Sequence, residues 1–260
     1  MTTVQARPAV RLDVGGPVAT ITLDRPEVRN AIDRATAEAL SAALDSFEAR
    51  DDLRAAVLTG SGTVFSAGMD LKAFSTNGER PVTAGRGGFG IVERPPAKPI
   101  VAAVEGRALG GGFEIALACD LIVAAEDAEF GLPEVRRGLV AAAGGVLRLP
   151  LRVPRNVAME LVLTGAPIGA SRAYELGLVN RVVPVGDAVA AAQSLAAQIA
   201  GNAPLAVQAA KLLVGAATEW PAAEAFALQR PHTDRVRSSA DAAEGARAFL
   251  EKRPPVWTGA

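Results

Sequence analysis

Two acids and a run of glycines define the chemistry open to this chain. Residues 106–134 read GRALGGGFEIALACDLIVAAEDAEFGLPE, with Gly110, Gly111 and Gly112 followed by Glu114, and a second carboxylate, Glu134, on a Phe-Gly-Leu-Pro-Glu turn. A glycine-hinged segment, FSAGMDLK, occupies 65–72. Glycine admits backbone conformations that a Cβ resists and lets the main chain approach a ligand closely. A helix that opens at such a hinge presents N–H groups with no intrahelical acceptor, and these attract negative charge. The two stretches therefore read as halves of one active site. Two backbone N–H donors hold an oxyanion, and two carboxylates move protons. The acids must hold different protonation states to do this, and only their environments can set that difference.

The elements that must position these groups follow from the pattern of apolar residues. Residues 9–23 predict two strands around the turn Gly15-Gly16-Pro17, with β-branched Val18, Thr20 and Ile21 in the second. Ala37, Leu40, Leu44 and Phe47 recur at spacings of three and four, which predicts a helix over 34–49 with Asp33 as its N-cap. LRAAVLTG (53–60), PIVAAVEG (99–106) and DLIVAAE (120–126) read as buried strands, and GGGFEIALA (110–118) as a helix. Asp70 is placed to cap a helix after Gly68. Residues 75–99 are the least regular part and predict a mobile surface segment with a short helix near 87–93. From 187 onward the pattern turns wholly helical. Alternating strands and helices followed by helices alone predict an α/β core over 1–195 and a helical region over 196–260.

Composition narrows the function classes. The 260-residue chain has a net charge of −1, so it carries no broad cationic footprint for nucleic acid. Cys119 and His232 are its only cysteine and histidine, which excludes an internal disulfide and argues against a His/Cys zinc site and a Ser-His-Asp triad. No apolar run reaches membrane-spanning length, and the N-terminus lacks a secretory apolar core, so a cytoplasmic protein with no membrane partner is expected. GRGGFG (85–90) matches the dinucleotide fingerprint in letters but follows a polar, proline-containing segment instead of a strand. Ser66 is not on a nucleophile elbow, since position 64 is Val.

An ordered set of segments resembles the enoyl-CoA hydratase/isomerase (crotonase) superfamily. These are LDRPEVRNAI (23–32), FSAGMDLK (65–72), AAVEGRALGGGFEIALACD (102–120), FGLPEVRRGL (130–139), LTGAPIGASRAYELGLVNRVV (163–183) and AFLEKRPP (248–255), in family order over nearly the whole chain. The resemblance implies a crotonase spiral of ββα units with a C-terminal helical trimerisation region. It also implies an acyl-CoA thioester partner and a homotrimer or dimer of trimers. No cofactor is implied beyond the coenzyme A of the substrate, and no metal.

By the same resemblance, Met69 and Gly111 supply the oxyanion N–H donors, Glu114 activates water and Glu134 serves the α-carbon. Arg25, Arg29, Ala67, Asp70, Leu71, Lys72 and Gly110 belong to the substrate and CoA contacts, and Phe249 and Lys252 match a C-terminal CoA contact that sometimes crosses a subunit boundary. Retention of both acids implies reversible syn hydration of a trans-2-enoyl-CoA to a 3-hydroxyacyl-CoA. The alternatives are enoyl-CoA isomerisation, dehydration of a specialised hydroxyacyl-CoA, or a non-catalytic acyl-CoA-binding module. One departure stands out. Ala141-Ala142 occupies the place where many hydratases carry Pro-Gly beside the catalytic water.

Overall fold

The computed structural model describes residues 7–260. A hairpin of β1 (Val10–Gly15) and β2 (Val18–Leu23) leads into α1 (Arg34–Ala49) and β3 (Ala55–Gly60). After α2 (Leu71–Asn77) comes a minimal hairpin, β4 (Val82–Thr83) and β5 (Gly87–Gly88). The centre of the chain holds β6 (Ile100–Val104), β7 (Arg107–Leu109), α3 (Gly111–Ala118), β8 (Leu121–Ala125) and β9 (Glu129–Gly131). Then follow α4 (Gly145–Arg148), α5 (Arg155–Thr164), β10 (Ile168–Gly169), α6 (Ala170–Glu175) and β11 (Arg181–Val183). Four helices end the chain: α7 (Ala188–Ala200), α8 (Pro204–Ala216), α9 (Ala225–Arg237) and α10 (Ala240–Glu251).

The main sheet has the order β1-β2-β3-β6-β8-β11, antiparallel at its first pair and parallel thereafter. Its central strands are covered on both faces, which is why they read as continuous apolar runs. One face carries the core with α1, whose Leu40, Leu44 and Phe47 are fully buried. The other face takes α7. Ala188, Ala192, Ala196 and Ala200 recur every four residues along α7 and meet Val57, Val101 and Val123 of the sheet. The expected division of the chain at residue 195 thus falls within a helix that packs on the core. A smaller sheet, β7-β9-β10, stands apart from the main one.

Both expected caps are present. Asp33 accepts from Thr36 N at 2.8 Å and Asp70 from Ala73 N at 3.1 Å. The helix expected near 87–93 is absent. Gly87, Phe89 and Gly90 have φ of 70°, 54° and 76°, and such left-handed residues cannot continue a right-handed helix. Nor is this segment a surface strand of chain. Arg86 is fully buried, donating to Asp45 Oδ1 from Nε (3.0 Å) and Nη2 (2.7 Å), to the Arg94 carbonyl (2.8 Å), and to Glu48. The guanidinium fastens residues 80–94 to α1. Replacing it leaves Glu48 without its cation and Asp45 with Arg94 alone, although both acids are partly solvated. Arg86→Met is expected to lower unfolding stability by about 2–3 kcal/mol in urea titrations, below the full cost of an orphaned buried charge.

Candidate active site

The small sheet brings the catalytic segments to one place. β7 pairs in parallel with β9, with Ala108 opposite Phe130 and Leu109 opposite Gly131. Two residues beyond β7 the chain enters α3 and reaches Glu114. Just beyond β9 it enters a 3-10 turn, Pro133–Arg137, and reaches Glu134. Gly110 N donates to the Gly131 carbonyl at 2.9 Å, and Phe113 meets Phe130 with ring centroids 5.5 Å apart. Parallel pairing therefore delivers both carboxylates at the same end of the sheet. On the other side of β7, Ser66 bridges to Ala108, which docks the 65–72 segment against it.

Gly68 and Gly111 meet at that junction. A Cβ on Gly68 would lie 2.7 Å from Gly111 N, and the residue itself has φ of 84°. Only glycine satisfies both demands. The loop is held from behind. Ser66 Oγ donates to the Asn30 carbonyl (2.8 Å) and accepts from Gly68 N (3.1 Å), while Asn30 Nδ2 donates to the Ser61 and Val64 carbonyls. Gly68 O and Asp70 N are spent on Ile32. The N–H groups of Met69 and Gly111 have no acceptor among the described residues. The first turn of α3 adds its dipole to the same spot.

These groups line a cavity of about 1210 Å³ that also takes in Arg29, Ala67, Leu71, Lys72, Gly110, Glu114 and Glu134. Glu114 is 3% exposed. Its Oε1 accepts from Ala143 N at 2.7 Å and Gly145 N at 2.9 Å. Burial raises its carboxyl to about 7, with those two N–H groups pulling the other way and the Glu134 charge adding to the rise. Burial also raises Glu134, whose Oε2 is buried with no hydrogen-bond partner among the described residues. The Glu134 Oε1 lies beside Gly110, 3.0 Å from where a Cβ would stand. Two buried acids in one cavity disfavour double ionisation.

Other expected residues are placed differently. Arg25 does not line the cavity. Its guanidinium donates to the Ala31 carbonyl (2.7 Å) and pairs with Asp33 and Asp70, so it braces two helix caps instead of facing a phosphate. Asp70 lines the cavity while its carboxylate serves α2 and Arg25. Phe249 is 83% exposed near the end of α10 and Lys252 is its left-handed C-cap, and both lie outside the cavity within this chain. Arg29 and Lys72 are exposed and line the cavity, as do Arg80, Arg137 and Arg148. Ala141 turns its methyl into the core towards Gly145, Ala142 lines the cavity, and the departure from Pro-Gly adds at 141 a backbone N–H that proline lacks. Residues that the motifs left unread are Asn30 and Ser66 behind the loop, Ala143 and Gly145 on Glu114, and Arg148, which donates to the Val92 carbonyl at 2.5 Å.

With this geometry in hand, comparison with known proteins is decisive. The enoyl-CoA hydratase/isomerase family model matches residues 13–260. The chain belongs to the enoyl-CoA hydratase/isomerase family. A carnitinyl-CoA dehydratase from Salmonella typhi is 46% identical over 259 residues, covering 96% of this chain and 98% of the relative. The crystal structure of enoyl-CoA hydratase EchA1 from Mycobacterium marinum superimposes with a TM-score of 0.95 at 50% identity, covering 98% of this chain and 100% of that one. A carnitinyl-CoA hydratase from Mycobacterium avium matches with a TM-score of 0.78 at 46% identity, again over 98% and 100% of the two chains. The crotonase fold is thus established for this chain.

Glu114 makes the protein's stability depend on pH in a defined direction. Its folded value lies above the unfolded one, so its proton favours the folded state. That contribution is complete below the unfolded value of 4.5 and is lost as pH rises through about 7. Glu114→Gln removes the titration while its amide oxygen still accepts from Ala143 and Gly145. The variant is expected to gain on the order of 3 kcal/mol relative to wild type between pH 4.5 and 8, at 1.36 kcal/mol per pKa unit. Thermal melts across that range check it, and a constant difference between the two proteins would contradict the origin given for the shift.

Proposed function

We propose that the protein catalyses reversible syn addition of water to a trans-2-enoyl-CoA, giving a 3-hydroxyacyl-CoA. The observation that carries this reading is the placing of Glu114 and Glu134 in one cavity with two unspent backbone donors, at Met69 and Gly111. The thioester oxygen accepts from those two N–H groups. As water attacks the β-carbon, electrons move through the double bond onto that oxygen, where the donors meet charge as it develops. One such donor is worth about 3–4 kcal/mol of barrier. The thioester is its own electron sink, and the proposed step draws on no metal or redox cofactor.

Glu114 holds the attacking water and takes its proton. Its Oε1 is committed to Ala143 and Gly145, which leaves Oε2 for the water and fixes the carboxylate plane. Glu134 gives a proton to the α-carbon, and its Oε2 with no partner of its own is the atom suited to that task. Exchange of one proton between the acids restores the starting state. The exposed Lys72 and Arg29 meet the phosphates of CoA.

A second reading is supported by the carnitinyl-CoA dehydratase relatives. The same groups run the step in reverse on a specialised 3-hydroxyacyl-CoA. Assembly into a homotrimer, or a pair of trimers, is part of the proposal. Its support is that α8 and α9 bury no residue within the chain while Val214, Phe226 and Leu228 on them remain exposed. The helical region from 196 onward is proposed as the contact surface.

Two measurements test the reading. Loss of the enoyl-thioester absorbance on mixing with a panel of trans-2-enoyl-CoA esters is expected, and carnitinyl-CoA in the same panel separates the two readings by its kcat/KM. Tight CoA-ester binding without turnover on any member would point to a binding module. Glu134→Gln keeps the shape and removes the acid, so kcat is expected to fall roughly 10²–10⁴-fold with KM nearly unchanged. Wild-type turnover in that variant would sink the role assigned to Glu134.

A further inference from the structure

Phe89 sits in an unusual backbone state at a telling place. Its φ of 54° lies in the left-handed region, where a bulky side chain is strained and glycine is not. Glycines flank it on both sides, so the strain is borne by the one residue of the three that has a ring. The surrounding structure holds it there. Arg86 fastens the segment to α1, Phe89 N donates to the Pro81 carbonyl at 2.6 Å, and Arg148 holds the Val92 carbonyl. The ring is buried directly over Gly111. A Cβ on Gly111 would stand 2.1 Å from Phe89 Cζ. The donor residue must be glycine for this ring, as well as for the substrate.

Phe89 lines the same cavity as Gly111, Glu114 and Glu134. A Cβ on neighbouring Gly88 would stand 3.3 Å from the Ala143 methyl, so the segment that carries the ring packs close to the backbone that holds Glu114. Lys72 and Arg29, the basic groups proposed for CoA, line the same cavity. A thioester whose oxygen accepts from Gly111 N sets its carbonyl carbon close to the ring, and the α-carbon is bonded directly to that carbon. We propose that Phe89 is a specificity-determining residue whose ring walls the acyl side of the oxyanion site and excludes thioesters that carry a substituent on the α-carbon. The proposal rests on the hydration reading above and narrows its substrates to acyl groups unbranched next to the thioester.

The test compares but-2-enoyl-CoA with 2-methylbut-2-enoyl-CoA, which differ by one α-methyl. Wild type is expected to prefer the first in kcat/KM by roughly 10–200-fold, the range one methyl group commands in a tight site. Phe89→Ala is expected to narrow that ratio at least tenfold, with kcat on the unbranched ester falling less than KM rises. Equal use of both esters by wild type overturns the proposal, as does an unchanged ratio in a Phe89→Ala protein that melts cooperatively. Should Phe89→Ala fail to fold, Phe89→Leu decides: a ratio narrowed about threefold or more supports the wall, and an unchanged ratio refutes it. If wild type hydrates neither ester, the hydration reading has failed on its own account. The wall is then read from titration calorimetry of butanoyl-CoA against 2-methylbutanoyl-CoA, where the same narrowing of the Kd ratio is expected and an unchanged ratio overturns it.

Discussion

The parallel register of β7 is the constraint on which the site depends. This three-residue strand is held between Ser66 on one side and β9 on the other. Its far end opens into α3, so the position of Gly111, Glu114 and Phe113 follows from three residue pairs. Parallel pairing has a geometric consequence that antiparallel pairing lacks. Both partners run out of the sheet in the same direction, so the segments after them, one carrying Glu114 and the other Glu134, emerge side by side. The main sheet supplies bulk and rigidity but contributes none of these groups directly.

That arrangement places charge where water is scarce. The two acids are raised by the same cause, burial, and the Glu134 charge adds to the rise at Glu114. What distinguishes them is hydrogen bonding. Glu114 is gripped by two N–H groups at the start of α4, and Glu134 leaves an oxygen without a partner. The protein thus sets one carboxyl rigidly and keeps the other poised, and it does so with main-chain donors that no side-chain motif records.

Much of the fold was legible because local rules were obeyed. The three-and-four spacing on α1, the two aspartate caps and the buried apolar strands each follow from propensity and pattern. The pair Glu114 and Glu134 could be singled out because the glycines before one and the Leu-Pro before the other fix their context. What escaped notice depends on contacts distant in sequence. Arg86 reads as a surface cation in a glycine-rich loop, and only the approach of Asp45 and Glu48 from α1 buries it. Arg25 reads as a phosphate contact, yet Asp33 and Asp70 claim it first. Phe89 follows no turn rule, since its left-handed conformation is imposed by anchors on either side. Ala143 and Gly145 act through N–H groups, to which residue identity is nearly blind.

The mutual approach of Gly68 and Gly111 also bears on how the chain acquires activity. These two residues are remote in sequence, and their junction rests on the pairing of β7 along both of its edges. Contacts of that kind are formed late, because the intervening chain must first surrender its loop entropy. A partly folded molecule could possess most of its helices and the core of its main sheet and still lack an oxyanion site. Recovery of turnover during refolding therefore reports the closing of this junction, and helix content recovered earlier carries no information about it.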